Sequence, residues 1–142
     1  MKTKPVASSV VNLTPAAESY NNVFFERKIE DVTSVLILYF SKLLYKISKE
    51  NAWTIANYIT SMRTEVNLSD HYRRDTINVL GNFSVYCNDK SLRQITRDEI
   101  LAFLDSFRKP ENVDPLHKWI GTYNTYRIYL TRFFKWLYYP DI

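Results

Sequence analysis

From Phe25 to Ile47 the apolar side chains Ile29, Val32, Leu36, Tyr39, Phe40, Leu43, Leu44 and Ile47 recur at three- and four-residue steps. That spacing predicts an amphipathic helix. Val35, Ile37 and Leu38 widen its stripe, so this helix is expected to meet partners on more than one side. Ahead of it, residues 1–22 are rich in Ser, Thr, Asn, Ala and Pro without an apolar period, and read as a flexible arm. Asn51 suits an N-cap for a second helix to about Val66, with Trp53, Ala56, Ile59 and Met62 or Arg63 inside. Asn67-Leu68-Ser69 is a break, and Ser69 caps a third helix to about Cys87 with Tyr72, Ile77, Leu80 and Phe83 facing inward. After a loop over 88–95, Thr96-Arg97-Asp98-Glu99 forms a capping box that opens a fourth helix over 97–107. Pro110 and Pro115 mark a further loop, and the last helix runs from Leu116 or Gly121 to Leu137, before Pro140 stops it. The expected fold is all-α, a helical bundle with short connections.

Composition narrows the function classes. Only 2 of the 142 residues are glycine, so neither a G-x-G-x-x-G turn nor a P-loop can be written. Gly81 falls inside a helical pattern, which costs about 1 kcal/mol against Ala and points to close helix approach. Gly121 suggests tight backbone approach as well. Cys87 is the one cysteine and His71 and His117 the two histidines, too few for a disulfide or a metal cage. No cofactor is expected. The most apolar run, Val35 to Phe40, is far short of the roughly 20 residues of a membrane span, and Lys2 and Lys4 precede a polar stretch, not an apolar signal core. The chain is expected to be soluble and cytoplasmic, with no membrane partner.

Net charge is +4, modest in itself, so its distribution decides. Between Leu116 and Pro140 there is no acidic residue, while Lys118, Arg127, Arg132 and Lys135 all fall there. With Leu130, Phe133, Phe134 and Leu137 as the core stripe, Thr122, Thr125, Tyr129, Arg132 and Trp136 lie on a roughly opposite face, with Asn124 and Arg127 alongside. Cations of this kind attract phosphates, and Asn, Thr and Arg can address base edges in a major groove. The plainer alternative is a solvated helix face with cations near its C-terminus. The third helix opens Ser69-Asp70-His71-Tyr72-Arg73-Arg74. Its two arginines can meet a phosphate at the helix N-terminus, or pair with Asp70 or Asp75 at helical spacing.

The order of these elements resembles the core-binding domain of tyrosine recombinases, the phage-type integrases, and is most similar to archaeal ones. The resemblance rests on the helix pair over 52–87 with its Ser69-Asp70-His71-Tyr72-Arg73 junction, on 92–104 with the capping box, on 114–124, and on the closing Thr125-Tyr126-Arg127-Ile128-Tyr129-Leu130-Thr131-Arg132-Phe133-Phe134-Lys135-Trp136-Leu137. It covers residues 51–142, about two thirds of the chain, beside the arm (1–22) and the N-terminal helix (23–50).

The resemblance implies a SAM-like four-helix domain forming half of a clamp on double-stranded DNA, with the third and last helices near the major groove. The partners it implies are duplex DNA, a catalytic domain that this sequence does not contain, and other recombinase protomers, in association with the nucleoid. Arg73, Arg74, Lys118, Arg132 and Lys135 are the expected phosphate contacts; Asn124, Thr125 and Arg127, with Tyr129 on the same face, are the expected base-side contacts. His71-Tyr72-Arg73-Arg74 spells H-x-x-R but opens a helix outside any catalytic domain, so the chain is not expected to cleave DNA. Two other readings stay open: a stand-alone DNA-binding regulator, and a helical protein-interaction module that uses the helix over 29–47.

Overall fold

The computed structural model describes residues 15–65 and 69–139, and there the chain is helical without a strand. The elements are α1 (Pro15–Val32), α2 (Leu38–Lys46), α3 (Lys49–Glu65), α4 (Asp70–Tyr86), a 3-10 turn (Leu92–Gln94), α5 (Arg97–Asp105) and α6 (Trp119–Tyr138). The all-α expectation holds. Of the arm expected over 1–22, residues 15–22 belong to α1, and 1–14 lie outside the described residues.

The single helix expected over 25–47 is two. α1 stops at Val32, the Thr33 hydroxyl donates to the Ile29 carbonyl at 2.7 Å, and Leu36 N–H donates to the Thr33 carbonyl at 3.0 Å. Val35 then takes φ of 62°, which a β-branched residue adopts only at a cost of about 1–3 kcal/mol. The turn lets the two halves of the stripe face different partners: α1 packs on α3, and α2 packs on α4. A straight helix would aim both the same way. Phe40, Leu43 and Leu44 go inside, and Val35, Ile37 and Leu38 stay outside at 82%, 70% and 67% exposure.

One apolar cluster joins all six helices, with Ile29 and Val32 from α1, Leu44 from α2, Ile55 and Ile59 from α3, Ile77, Leu80 and Phe83 from α4, Phe103 and Leu104 from α5, and Leu130 and Phe133 from α6. Trp53, expected inside, lies half out beneath the Lys28 ammonium, 5.6 Å from the ring centroid. Ala56 and Ile59 are buried as expected, and Ala52, Ile55 and Tyr58 complete the stripe.

Asn51 is not the cap of α3. The Ser48 hydroxyl accepts the Asn51 amide, and the Asn51 side chain is buried inside the first turn. Its Nδ2 donates to Ser84 Oγ, Asp89 Oδ1 and the Lys90 carbonyl at 3.0–3.2 Å, and its Oδ1 accepts Leu92 N–H at 3.0 Å. One amide therefore ties the start of α3 to the end of α4 and the loop after it. That loop turns through left-handed Asn88 and Asp89, residue types that tolerate the conformation. Ser69 caps α4 and Thr96 with Glu99 forms the capping box of α5, both as read from the sequence.

Gly81 marks the close approach anticipated for it, and the partner is α2. A Cβ there would sit 2.6 Å from Leu43 Cδ2 and 2.7 Å from Leu43 Cγ. Gly121 has open space around it, so no close approach explains it among the described residues. Gly81→Ala should lower the urea midpoint, because overpacking costs about 1–3 kcal/mol and outweighs a helix-propensity gain of about 1 kcal/mol. In a Leu43→Ala background the same substitution should be neutral or stabilising; a loss of equal size in both backgrounds would remove Leu43 as the cause.

Candidate nucleic-acid interface

α6 carries the face selected by the charge pattern. Leu130, Phe133, Phe134 and Leu137 are buried against the bundle, which turns Asn124, Thr125, Ile128, Arg132 and Lys135 outward along one exposed stripe, with Arg127 on its flank. Arg127 and Lys135 have no carboxylate partner among the described residues. Thr122 is exposed on the first turns of the helix. Trp136, expected on this outer face, is half-buried, with its indole N–H donating to Ser61 Oγ at 3.2 Å.

Arg132 is held in place. Its Nη1 donates to the Tyr72 hydroxyl at 2.8 Å, and its guanidinium lies 5.7 Å from the centre of the Tyr72 ring. Tyr129 packs against the same ring, centroids 5.1 Å apart. Below them Tyr58 is buried against Phe133 and Trp136. Burial, with Tyr72 nearby, pushes the Tyr58 phenol well above its ordinary range, and burial pushes Tyr129 up as well. Both rings stay neutral at physiological pH. The guanidinium thus projects from an uncharged aromatic base that limits its rotamers.

α4 supplies this site in a way the sequence did not indicate. Arg73 is 4% exposed; Nη1 donates to the Val32 carbonyl at 2.9 Å and to Ser34 Oγ at 3.3 Å, and Nη2 donates to Asp70 at 2.8 Å. Its donors face inward, so Arg73 is not a surface cation, and it leaves the set of phosphate contacts. Arg74 is partly exposed but lies 3.2 Å from Asp75, which also meets His71 at 3.0 Å. Pairing with Asp70 and Asp75, the alternative to phosphate contact, is the arrangement both arginines adopt. Tyr72, expected to face the core, instead sits beneath Arg132. The two are 60 residues apart, and no local spacing links them.

Lys118 lies apart from this stripe. It is exposed at the N-cap position of α6 and lines a groove with Lys109, Leu116 and Trp119. Among the described residues no group of three His, Cys, Asp or Glu side chains could hold a metal ion, and no helix is long and apolar enough to cross a membrane.

The buried and exposed arginines should separate in a stability measurement. Arg73→Ala should cost about 1.5–3 kcal/mol, the usual worth of charge-assisted hydrogen bonds to a buried carbonyl, whereas Arg132→Ala should shift stability by about 0.5 kcal/mol or less. Urea unfolding followed by circular dichroism checks both; equal losses would contradict the burial contrast. Compared with known protein families, with curated proteins and with solved structures, the chain matches none.

Proposed function

We propose that this chain binds duplex DNA through the exposed face of α6, as the core-binding half of a tyrosine-recombinase clamp. The observation that carries the reading is the acid-free exposed stripe of α6, on which Arg127, Arg132 and Lys135 stand beside Asn124 and Thr125. A helix of 20 residues spans about 30 Å, long enough to lie along a major groove. Arg132 and Lys135 contact phosphates, Arg74 adds a weaker contact because Asp75 partly neutralises it, and Lys118 reaches a phosphate at the far end of α6. Asn124, Thr125 and Arg127 address base edges.

In this reading Tyr72 and Tyr129 hold Arg132 in its binding direction and touch no base. The fully assembled partner set is duplex DNA at a recombination half-site, a catalytic domain and neighbouring protomers, in association with the nucleoid. A stand-alone DNA-binding regulator would use the same face. The rival from a different class, a helical protein-interaction module, is favoured by the apolar turn between α1 and α2, where Val35, Ile37 and Leu38 stand exposed.

A salt titration of binding to a short labelled duplex separates the DNA readings from the protein-interaction module. Affinity should fall steeply as salt rises, and Arg132→Ala should make the log–log slope shallower by about 1 on every sequence. Tyr72→Phe keeps the charge count but loses the hydrogen bond, so binding should weaken by about 2- to 10-fold with the slope unchanged. Absence of duplex affinity at low salt would remove the DNA reading, and an unchanged slope for Arg132→Ala would remove Arg132 from the phosphate contacts.

A further inference from the structure

A groove of about 540 Å³ opens where the α5–α6 loop meets the first turn of α6, within the size range of small-molecule sites. Phe107, Val113, Leu116 and Trp119 give it apolar walls, and Lys109 and Lys118 also line it. Leu116 is 75% exposed and Val113 64%, an unusual outlay of apolar surface for one short loop. The loop is also fixed from within. His117, at φ of 53°, donates its amide to the Asp114 carbonyl at 3.0 Å, and the Asp114 carboxylate accepts the Trp119 amide at 3.0 Å.

Charge and hydrogen bonding both leave a negative ligand favoured. Asp114 is the one acid on the groove, and its carboxylate is already spent capping α6; that amide holds it below the usual aspartate range. Against it stand two lysines without a carboxylate partner among the described residues. Arg108 lies over the Trp119 ring at 5.0 Å, but its charge is matched by Asp105 at 2.9 Å. The indole N–H of Trp119 is buried and has no acceptor among the described residues, a donor whose isolation costs about 1–3 kcal/mol until an acceptor reaches it.

We propose that this groove binds a small aromatic carboxylic acid, its ring held between Phe107, Leu116 and Trp119 and its carboxylate by Lys109 and Lys118. The aromatic walls favour a flat ring through edge and face contacts, and the paired cations select the acid over its neutral isostere. The site shares Lys118 with the proposed DNA contacts but uses none of Arg127, Arg132 or Lys135, so the naphthoate titration and the Arg132→Ala salt slope test the two readings separately.

Calorimetric titration with 2-naphthoate and with the isosteric neutral 2-naphthamide tests it on the whole chain. Naphthoate should bind with Kd below about 1 mM and naphthamide about tenfold more weakly or worse. Lys118→Gln, Leu116→Asp and Trp119→Phe should each weaken naphthoate by about fivefold or more, while circular dichroism shows the helices intact. The first two positions are exposed and carry no core contact, so the fold survives their replacement. Equal binding of acid and amide, retained affinity in the variants, or no heat up to about 5 mM naphthoate would each overturn the site.

Discussion

The guanidinium of Arg73 lies where charge is costly unless its donors are matched, and matching them joins the start of α4 to the end of α1. Asp70 meets it within the first turn of α4, while the Val32 carbonyl and the Ser34 hydroxyl meet it from the end of α1. A helix C-terminus leaves carbonyls without partners and carries partial negative charge, so an arginine delivered from elsewhere satisfies both at once. The position where α1 ends is thereby tied to the position where α4 begins. Left-handed Val35 follows from that tie, because the chain must reverse within a few residues to bring Phe40, Leu43 and Leu44 back against α4. The contact of Leu43 with Gly81 is the other end of the same arrangement: α2 approaches α4 so closely that a side chain at 81 has no room.

α4 consequently faces two ways. Its inner side fixes α1 and α2, and its N-terminal turn presents Tyr72 to α6. Tyr72 and Arg73 are neighbours in sequence, yet one sets the direction of an exposed cation while the other is consumed inside the fold. The difference is one of helical phase, since 100° per residue is enough to move a side chain from the core to the edge. The same turn of α4 thus carries both the buried Arg73 contacts and the Tyr72 support of Arg132.

The all-α fold was legible because the 3.6-residue period and the caps at Ser69 and Thr96 are local signals. So was the α6 stripe: Leu130, Phe133, Phe134 and Leu137 are all buried. What failed was non-local. A continuous apolar period over 25–47 cannot reveal that its two halves pack on different helices, and valine is a poor guess for a left-handed turn. Asn51 has the residue type of a cap, but its acceptors and donor at Ser84, Asp89, Lys90 and Leu92 lie more than 30 residues away, so a buried hub reads as a helix start. Within the candidate interface, exposed α6 cations could be counted from phase alone. The burial of Arg73 and the placement of Tyr72 under Arg132 could not, since both depend on partners distant in sequence.

The scarcity of glycine takes a different meaning in this light. Neither glycine has positive φ; among the described residues the left-handed positions fall to Val35, Asn88, Asp89 and His117. Asn88 and Asp89 tolerate that conformation and end α4. Val35 adopts it only at a cost and His117 at a smaller one, and each is over-determined by its surroundings: Thr33 and the packed Leu36 at the first turn, the two Asp114 bonds at the second. Both turns also expose apolar side chains, Val35, Ile37 and Leu38 at one and Val113 and Leu116 at the other. A glycine would relieve the backbone at either place and would also free the turn to vary. Non-glycine residues keep those apolar groups aimed in one direction, so at both turns the backbone strain contributes to a defined surface shape instead of to stability.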